Sequence, residues 1–386
     1  MLRTEWVSLL DHCKKMQYKE ITRQLNRPNI QIFSAMWKYG PRNLLEVARR
    51  TGIPFTSVYH RMAKIEAKSQ EVAFLVTPVS KLGMVRIVIL ALATPGREDE
   101  VTAALKAPNL WRSVGFCEGN FTHISVQLVP VKYLREFRSY VQQLVDSGLI
   151  RNFSMIYTGD FVPNFPDFDY YNPTESRWRF DWEDWLASLD EEHDDVTFDD
   201  PQSYRMLVDK KDLVIIWQLE TDARRSFADI AKAAGMTPQG VKYHYQKLVA
   251  LGVTNAIQFR VLPFPVEVSA YHEVMLEFNS KEDLDRFYSI VPKLFFVLGV
   301  AKLLRRNAVM VQTWMLESQL PKMFSFFSQM ARAGILDSYS AVRIDFVSKQ
   351  GQTISEELFD DEKGWIVDFE KCSSELQKIE KAGIST

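Results

Sequence analysis

Two short segments of the sequence, 55–67 and 237–251, each combine an apolar stripe with basic and polar residues. The apolar residues recur at helical spacing, so the polar residues between them share the opposite face of a helix. A short rigid helix with polar side chains at its exposed N-terminal half can hydrogen-bond to base edges in the DNA major groove. The residues that we expect to contact base edges are Ser57, His60, Arg61, Lys242 and His244, with Gln239 on the same face of the second helix.

Further basic residues lie in or beside both segments. Their charges would neutralise DNA phosphates, which supplies much of the affinity and makes it fall with salt. The alternative is that these residues form the solvated faces of ordinary helices. The same arrangement occurs twice in the chain, and this favours DNA binding. The residues that we expect to contact phosphates are Arg49, Arg50, Lys64, Arg224, Arg225 and Lys247.

Each segment is the third of three predicted helices. Gly52 and Gly235 are typical of the C-terminal end of the middle helix, and Thr237 followed by Pro238 is typical of a helix start. A strand follows each third helix, so each set predicts a winged helix-turn-helix. The predicted helices are 30–39, 43–51 and 55–67 in the first half, and 210–220, 226–234 and 237–251 in the second.

After each helical set, the pattern alternates between strand and helix in the order β-α-β-β-α-β, the ferredoxin-like unit. Helices should cover one face of an antiparallel sheet. The other face is also apolar, so it needs a partner, which two copies can supply by sheet-to-sheet packing. The predicted fold class is therefore α+β, with two winged helix-turn-helix domains alternating with two ferredoxin-like domains.

The two halves also match in the same order at three places, which indicates an internal duplication. The matched residues are Gly52 with Gly235, Gly148 with Gly334, and Trp178 with Trp365. The predicted domains are winged helix-turn-helix 1 (1–80), ferredoxin-like unit 1 (81–162), an acidic aromatic linker (163–204), winged helix-turn-helix 2 (205–265), ferredoxin-like unit 2 (266–348) and an acidic tail with a C-terminal helix (349–386).

The chain has 386 residues and a formal net charge of −2, but its charge is uneven. Fourteen acidic residues and two arginines lie between Asp160 and Asp200, so the rest of the chain is basic, which suits a polyanionic partner. The apolar runs are too short to span a membrane, no secretory signal is visible, and three scattered cysteines form no disulfide framework. We therefore expect a cytoplasmic protein without membrane contact.

The sequence lacks four common catalytic or phosphate-binding motifs. It has no G-x-x-x-x-G-K-[ST] loop, G-x-G-x-x-G, H-E-x-x-H or G-x-S-x-G, and no two of its six histidines fall at metal-ligand spacing. The sequence therefore predicts no catalytic residues, no metal, no cofactor and no enzymatic activity.

The stretch from Asp222 to Ala231, with Gly235-Met236-Thr237 and Val241 to Val253, resembles the helix-turn-helix of the Lrp/AsnC family of transcription regulators. The β-α-β-β-α-β unit resembles that family's effector and oligomerisation domain. The resemblance implies sequence-specific binding to double-stranded DNA by a dimer. Here two copies in one chain would form the pair internally and read non-identical half-sites, as a monomer or as a homodimer of whole chains.

The resemblance also implies a small-molecule effector site near the turn between the second and third strands of each sheet. One of these turns contains Gly119 and Asn120, and the other contains Arg305 and Arg306. The two arginines depart from the usual pattern. They would favour a larger anion than an amino acid, or pair with the acidic linker.

The acidic segments around Trp178 and Trp365 allow two interpretations. They could dock the transcription machinery or cover the basic faces of the winged helices. Alternatively, their tryptophans pack onto the open sheet face while the acidic residues stay solvated, and this interpretation is favoured.

Two other functions stay open. The architecture, with Arg305-Arg306-Asn307, also resembles the sirohaem decarboxylases, which implies tight tetrapyrrole binding and no specific DNA affinity. Of the acid groups that this resemblance implies, only His123 lies in an equivalent strand. A protein-interaction scaffold with two degenerate winged helices would shift no DNA even at low salt.

Overall fold

The computed structural model describes residues 25–69, 73–191, 196–254, 257–259 and 263–383. Residues 1–24 and 70–72 of the predicted first domain lie outside this part, as do 255–256 and 260–262 of the predicted second wing. Within the described ranges, every helix is too short or too polar to cross a membrane.

Three helices open the described chain, and polar residues and a glycine set their ends. Asn26 and Asn43 accept hydrogen bonds from the backbone nitrogens of Asn29 (3.2 Å) and Glu46 (3.1 Å), and so cap two of the helices. Gly52 ends the second with φ 69°, a left-handed conformation that suits glycine. The elements are α1 (Arg27–Tyr39), α2 (Leu44–Thr51), α3 (Phe55–Ser69) and the short strand β1 (Ala73–Leu75).

A four-stranded sheet with two helices on one face follows. Its elements are β2 (Met84–Ala93), α4 (Glu98–Lys106), β3 (Trp111–Glu118), β4 (His123–Pro130), α5 (Leu134–Asp146) and β5 (Ile150–Pro163). Alternate residues of β2, such as Val85 and Ile87, pack with Val101 and Phe137 of the two helices. The strand order β5-β2-β4-β3 is that of a β-α-β-β-α-β unit.

The acidic linker contains a small hairpin, β6 (Tyr171–Asn172) and β7 (Arg177–Trp178), and a helix, α6 (Trp182–Ala187). Trp178 is buried. Its Nε1 donates to the carbonyl of Pro263 (3.1 Å), and its ring stacks on Phe295 with 4.4 Å between centroids. The tryptophan therefore packs inside the molecule as the favoured interpretation predicts, although its partners are not the sheet face that we expected.

The second helical set repeats the design of the first. Its elements are α7 (Lys210–Thr221), α8 (Phe227–Ala234), α9 (Pro238–Ala250) and β8 (Ile257–Phe259). Ser226 caps α8 and Thr237 caps α9, as predicted, and Gly235 ends α8 with φ 61°. β8 pairs with β1 in antiparallel register, so the wings of the two sets join.

The second sheet again carries two helices. Its elements are β9 (Ser269–Phe278), α10 (Lys281–Ile290), β10 (Val297–Leu303), β11 (Ala308–Leu316), α11 (Leu320–Arg332) and β12 (Leu336–Ile344). Its strand order, β12-β9-β11-β10, matches that of the first sheet. The mixed helix and sheet content agrees with the predicted α+β class.

The two sheets close on each other into a ring of eight strands. β10 pairs with β5, where Gly299 lies opposite Pro163, and β12 pairs with β3, where Ile344 lies opposite Cys117. The inner faces of the two units therefore face each other, which is the sheet-to-sheet packing that the sequence predicted.

The tail wraps back over the first half of the chain. Its elements are β13 (Gln350–Gly351), β14 (Phe359–Asp360), β15 (Gly364–Trp365) and α12 (Phe369–Gly383). Trp365 is buried and donates from Nε1 to the carbonyl of Leu82 at 2.7 Å. The ring of Phe369 packs near those of Phe137 and Tyr140 of α5.

Candidate nucleic-acid interface

The helix α9 presents its N-terminal half to solvent. Val241 and Leu248 are fully buried in a cluster with Ile216 and Ile230 of the two preceding helices, which fixes the rotation of α9. The exposed side chains on its outer face are Gln239, Lys242, Tyr243 and Gln246. A helix held by its apolar stripe with this face open has the form required to enter a DNA groove.

Two residues that we expected to contact DNA turn toward α7 instead. His244 Nδ1 lies 2.6 Å from Asp212 Oδ1, and Lys247 Nζ lies 2.5 Å from Asp212 Oδ2 and 3.2 Å from Asp209 Oδ2. Asp212 is completely buried, so its carboxylate needs these partners. His244 and Lys247 therefore hold α9 in place, and their contact with DNA stays a prediction.

Asp209, Asp212 and His244 also form a group that could ligate a metal ion, since their ligand atoms lie within 4.8 Å of one another. Lys247 already supplies a positive charge to both carboxylates. Burial alone would lower the pKa of Lys247, but its hydrogen bonds to Asp212 and Asp209 raise that pKa overall. This group could not be predicted from the sequence, because two acidic residues at a helix start are typical of an ordinary cap.

The helix α3 of the first set is also open at its N-terminal half. Val58 and Met62 are buried, as the periodicity predicted. The exposed residues are Phe55, Thr56, Tyr59, His60 and Lys64, whereas Ser57 and Arg61 are half-buried. Arg61 donates from Nη1 to Asn29 Oδ1 (3.0 Å), so this arginine ties α3 to α1 and is less available to a base than we expected.

Large exposed aromatic side chains also belong to this surface, although none of them is among the residues that we expected to contact bases or phosphates. Phe55, Tyr59 and Tyr243 are 45%, 54% and 67% exposed. Each lies on the same helix face as the predicted polar contacts. Their position on that face was the available signal, because an apolar residue outside the buried stripe has no packing role within its own domain.

The basic residues in α2 and just before α8 differ in how exposed they are to a DNA phosphate. Arg49 and Arg50 are exposed and pair with Glu46, whose pKa their hydrogen bonds lower to about 2. Arg225 donates to Gln218 and is half-buried. Arg224 is half-buried too, and this burial lowers the pKa of its guanidinium. The structure therefore leaves Arg49 and Arg50 as the more accessible candidates for phosphate contact.

The two helix-turn-helix sets touch each other through Arg42. Its Nη1 donates to the carbonyl of Ala223 at 2.8 Å, and its guanidinium lies 4.4 Å from the ring centroid of Phe227 and 5.3 Å from that of Tyr245. Burial lowers the pKa of this arginine. Arg42 lies just before α2 and contacts α8 and α9 of the other set. It therefore restrains the two sets relative to each other.

The two predicted effector turns differ from one another. Gly119 and Asn120 are exposed between β3 and β4. In the other turn, the backbone nitrogen of Arg305 donates to Asp200 Oδ2 (2.9 Å), and Arg306 Nη2 donates to both oxygens of Glu277 at 2.7 Å. The linker therefore contacts the backbone of this turn at Asp200, whereas the side chain of Arg306 pairs with Glu277 of β9, so the expected pairing of the two arginine side chains with the acidic linker stays a prediction.

Residues 208–249 match the family of AsnC-type helix-turn-helix domains. No curated protein matches the chain. The whole chain is similar to the crystal structure of the siroheme decarboxylase NirDL, at 12% identity and a TM-score of 0.53, over 87% of this chain and 93% of that one. The same enzyme in co-complex with an iron-uroporphyrin III analogue matches at 13% identity and a TM-score of 0.54, over 90% and 99%. AsnC of E. coli is 15% identical, with a TM-score of 0.29, over 36% of this chain and 92% of that one.

One sequence-based expectation is overturned by these matches. We expected no enzymatic activity because catalytic motifs were absent, yet the fold shared over most of the chain is that of an enzyme. Short motifs report only those enzyme classes whose chemistry needs a fixed local spacing, so their absence could not exclude chemistry assembled from distant strands.

Proposed function

We propose that the chain is a DNA-binding transcription regulator whose two helix-turn-helix sets act as an internal pair. The observation that carries the proposal is that α3 and α9 both bury an apolar stripe and both leave the N-terminal half of the opposite face exposed. The AsnC-type domain at 208–249 supports it for the second set.

An internal duplication is part of this proposal. Both halves have the same order of elements and the same strand order within their sheets. The pairing of β1 with β8, and of each sheet with the other, supports an arrangement in which one chain supplies what two subunits would supply elsewhere. Two different reading helices would then face two different half-sites.

The exposed residues support a different preference for each half-site. α9 offers Gln239 and Lys242, and these side chains pair with adenine and guanine edges. α3 offers Phe55, Thr56 and Tyr59, whose apolar surfaces suit the methyl group of thymine. The proposal therefore gives His244, Lys247 and Arg61 a supporting role and gives phosphate contact first to Arg49, Arg50 and Lys64.

Selection of bound fragments from random double-stranded DNA by the full chain, at near-physiological salt, tests the proposal. We expect one asymmetric motif with a purine-containing half-site and a thymine-rich half-site. A chain that enriches no sequence at this salt, and shifts no DNA at low salt, would contradict the proposal and favour the scaffold or the enzyme.

The second candidate is a tetrapyrrole enzyme, and the whole-chain likeness to siroheme decarboxylase favours it. The one histidine suggested by sequence does not support it. His123 is fully buried under α4, with Nε2 2.9 Å from the carbonyl oxygen of Glu98, and burial lowers its pKa. Titration of the full chain with iron-uroporphyrin III, followed by absorbance, tests this candidate: saturable one-to-one binding supports it, and no spectral change counts against it.

A further inference from the structure

The helix α3 carries a contiguous aromatic surface, formed by Phe55, Tyr59 and His60. The rings of Phe55 and Tyr59 lie one helical turn apart, with 6.4 Å between their centroids, and the ring of His60 lies 5.8 Å from that of Tyr59. All three side chains are exposed. Single apolar residues are common on protein surfaces, but adjacent aromatic rings that stay in water mark a binding surface.

The face of α3 has few groups that can read the edge of a base. Base edges are read best by side chains with paired hydrogen-bonding groups, such as arginine, asparagine and glutamine. The arginine of α3, Arg61, donates to Asn29 of α1, and Ser57 is half-buried. On α9, by contrast, Gln239 and Lys242 are exposed. The two helices therefore offer different chemistry: hydrogen-bonding groups on α9 and ring faces on α3.

The charge of the first helix-turn-helix set shows which partner fits these rings. Residues 25–65 contain seven basic residues and one acidic residue, whereas the equivalent residues 208–249 contain seven basic and five acidic residues. The formal net charges are therefore +6 and +2. A strong positive charge beside exposed rings suits unpaired nucleic acid, because cations bind its phosphates while rings stack on its bases.

We propose that the aromatic surface of α3 binds unpaired bases of DNA, so that the first set holds an opened segment while α9 reads base edges in the paired segment. This inference rests on the proposed function and names the form of DNA that the first half-site takes. The rings of Phe55 and Tyr59 stack on base faces, which every base offers once it is unpaired. A thymine-rich half-site suits this role, because steps between thymine and adenine are easily unstacked.

The energies of stacking and of opening determine which DNA binds more tightly. Stacking of one base on one aromatic ring strengthens binding by roughly 5- to 150-fold. Opening paired bases costs part of this gain. We therefore expect the aromatic surface to prefer DNA in which the bases are already unpaired.

Fluorescence anisotropy of the full chain with two duplexes of about 24 base pairs tests the proposal. The duplexes share one strand, which contains four adjacent thymines. In one duplex these thymines face adenines, and in the other they face thymines and stay unpaired. We expect at least fivefold tighter binding to the duplex with the unpaired thymines.

Variants assign this preference to the rings of α3. Phe55→Ala combined with Tyr59→Ala should reduce the preference to less than twofold, and the salt dependence of binding should stay the same because the cations remain. Tyr59→Phe keeps the ring and should keep the preference. Leu45→Ala, which removes a comparably exposed apolar side chain of α2, is the matched control and should keep it as well.

Circular dichroism checks that each variant is folded. If the double variant does not fold, Phe55→Ala alone should lower the preference at least twofold. Equal binding of both duplexes by the parent would overturn this inference and leave DNA binding itself in place. Binding of neither duplex, even at low salt, would overturn both proposals. A preference that survives in the folded double variant would overturn the assignment to α3.

Discussion

Arg112 of β3 donates from Nη1 to Oε2 of Glu220 on α7 at 2.8 Å, so an ion pair joins the first sheet to the second helix-turn-helix. Glu220 is 1% exposed and also accepts from Thr77 Oγ1 (2.7 Å) and the backbone nitrogen of Ile354 (3.1 Å). One buried carboxylate of α7 therefore accepts hydrogen bonds from β3, from the segment that follows β1 and from the tail.

Glu220→Ala should destabilise the whole chain. The change removes the acceptor that Arg112, Thr77 and Ile354 share, and we expect the free energy of unfolding to fall by roughly 3 kcal/mol. Urea unfolding followed by circular dichroism measures this. Glu357→Ala, at an exposed glutamate, should change it by less than about 0.5 kcal/mol. Equal stability of the two variants would show that the hydrogen bonds to the Glu220 carboxylate contribute little to the free energy of unfolding.

His272 should make stability depend on pH. Burial, with the positive charge of Arg343, lowers its pKa to about 4 from an ordinary 6.5. The folded chain therefore holds the neutral ring, and protonation favours the unfolded chain. The contribution of His272 is complete above pH 6.5 and is lost as the pH falls toward 4, by about 2 kcal/mol between about pH 7.5 and 5.

The measurement is the free energy of unfolding of the parent and of His272→Leu across this pH range. The variant should lose less stability than the parent on acidification, because it lacks the titrating ring. His60→Leu, at an exposed histidine, should keep the slope of the parent. A parent and a His272 variant with the same slope would contradict the assignment.

Lys242 and Lys247, on the same helix, should give opposite results. Lys242 is exposed on the reading face, so Lys242→Ala should reduce discrimination between the preferred and a substituted base pair by about 1–3 kcal/mol. Lys247 pairs with Asp212, so Lys247→Ala should keep the base preference and lower the free energy of unfolding by about 1 kcal/mol. Competition binding with sequence variants, together with urea unfolding, separates these effects.

Arg42→Ala should loosen the link between the two helix-turn-helix sets. The parent should bind poorly when about five base pairs are inserted between the half-sites, because half a helical turn moves one of them to the other side of the duplex. The variant should tolerate the insertion better, since the contacts to Ala223, Phe227 and Tyr245 are lost. As a control, Arg49→Ala should weaken binding to the DNA with the insertion and to the DNA without it by the same factor. If the parent and Arg42→Ala lose the same affinity on insertion, Arg42 does not restrain the two sets.

Local signals in the sequence predicted the elements well. Asn43, Ser226 and Thr237 begin helices, Gly52 and Gly235 end them, and these features depend on backbone hydrogen bonds within a few residues. The apolar second face of each sheet also predicted a partner sheet, because such a surface is rarely left in water.

Side-chain partners were harder to predict. Lys247 and His244 lie on the helix that we expected to contact base edges and phosphates. Both side chains instead contact the carboxylate of Asp212, which is 32 residues away from His244. The same reason applies to Arg42, whose partners belong to the other helical set. Such choices depend on the close approach of distant segments, which periodicity does not report.

The closed ring of strands has a consequence for biosynthesis. Until the second half of the chain emerges from the ribosome, β5 and β3 lack their partners β10 and β12, and both are open edges. Because these pairings join residues far apart in sequence, they form late and slowly. A nascent first half is therefore prone to edge-to-edge association with other chains, and a cell that produces this protein would benefit from a chaperone that shields those two edges during translation.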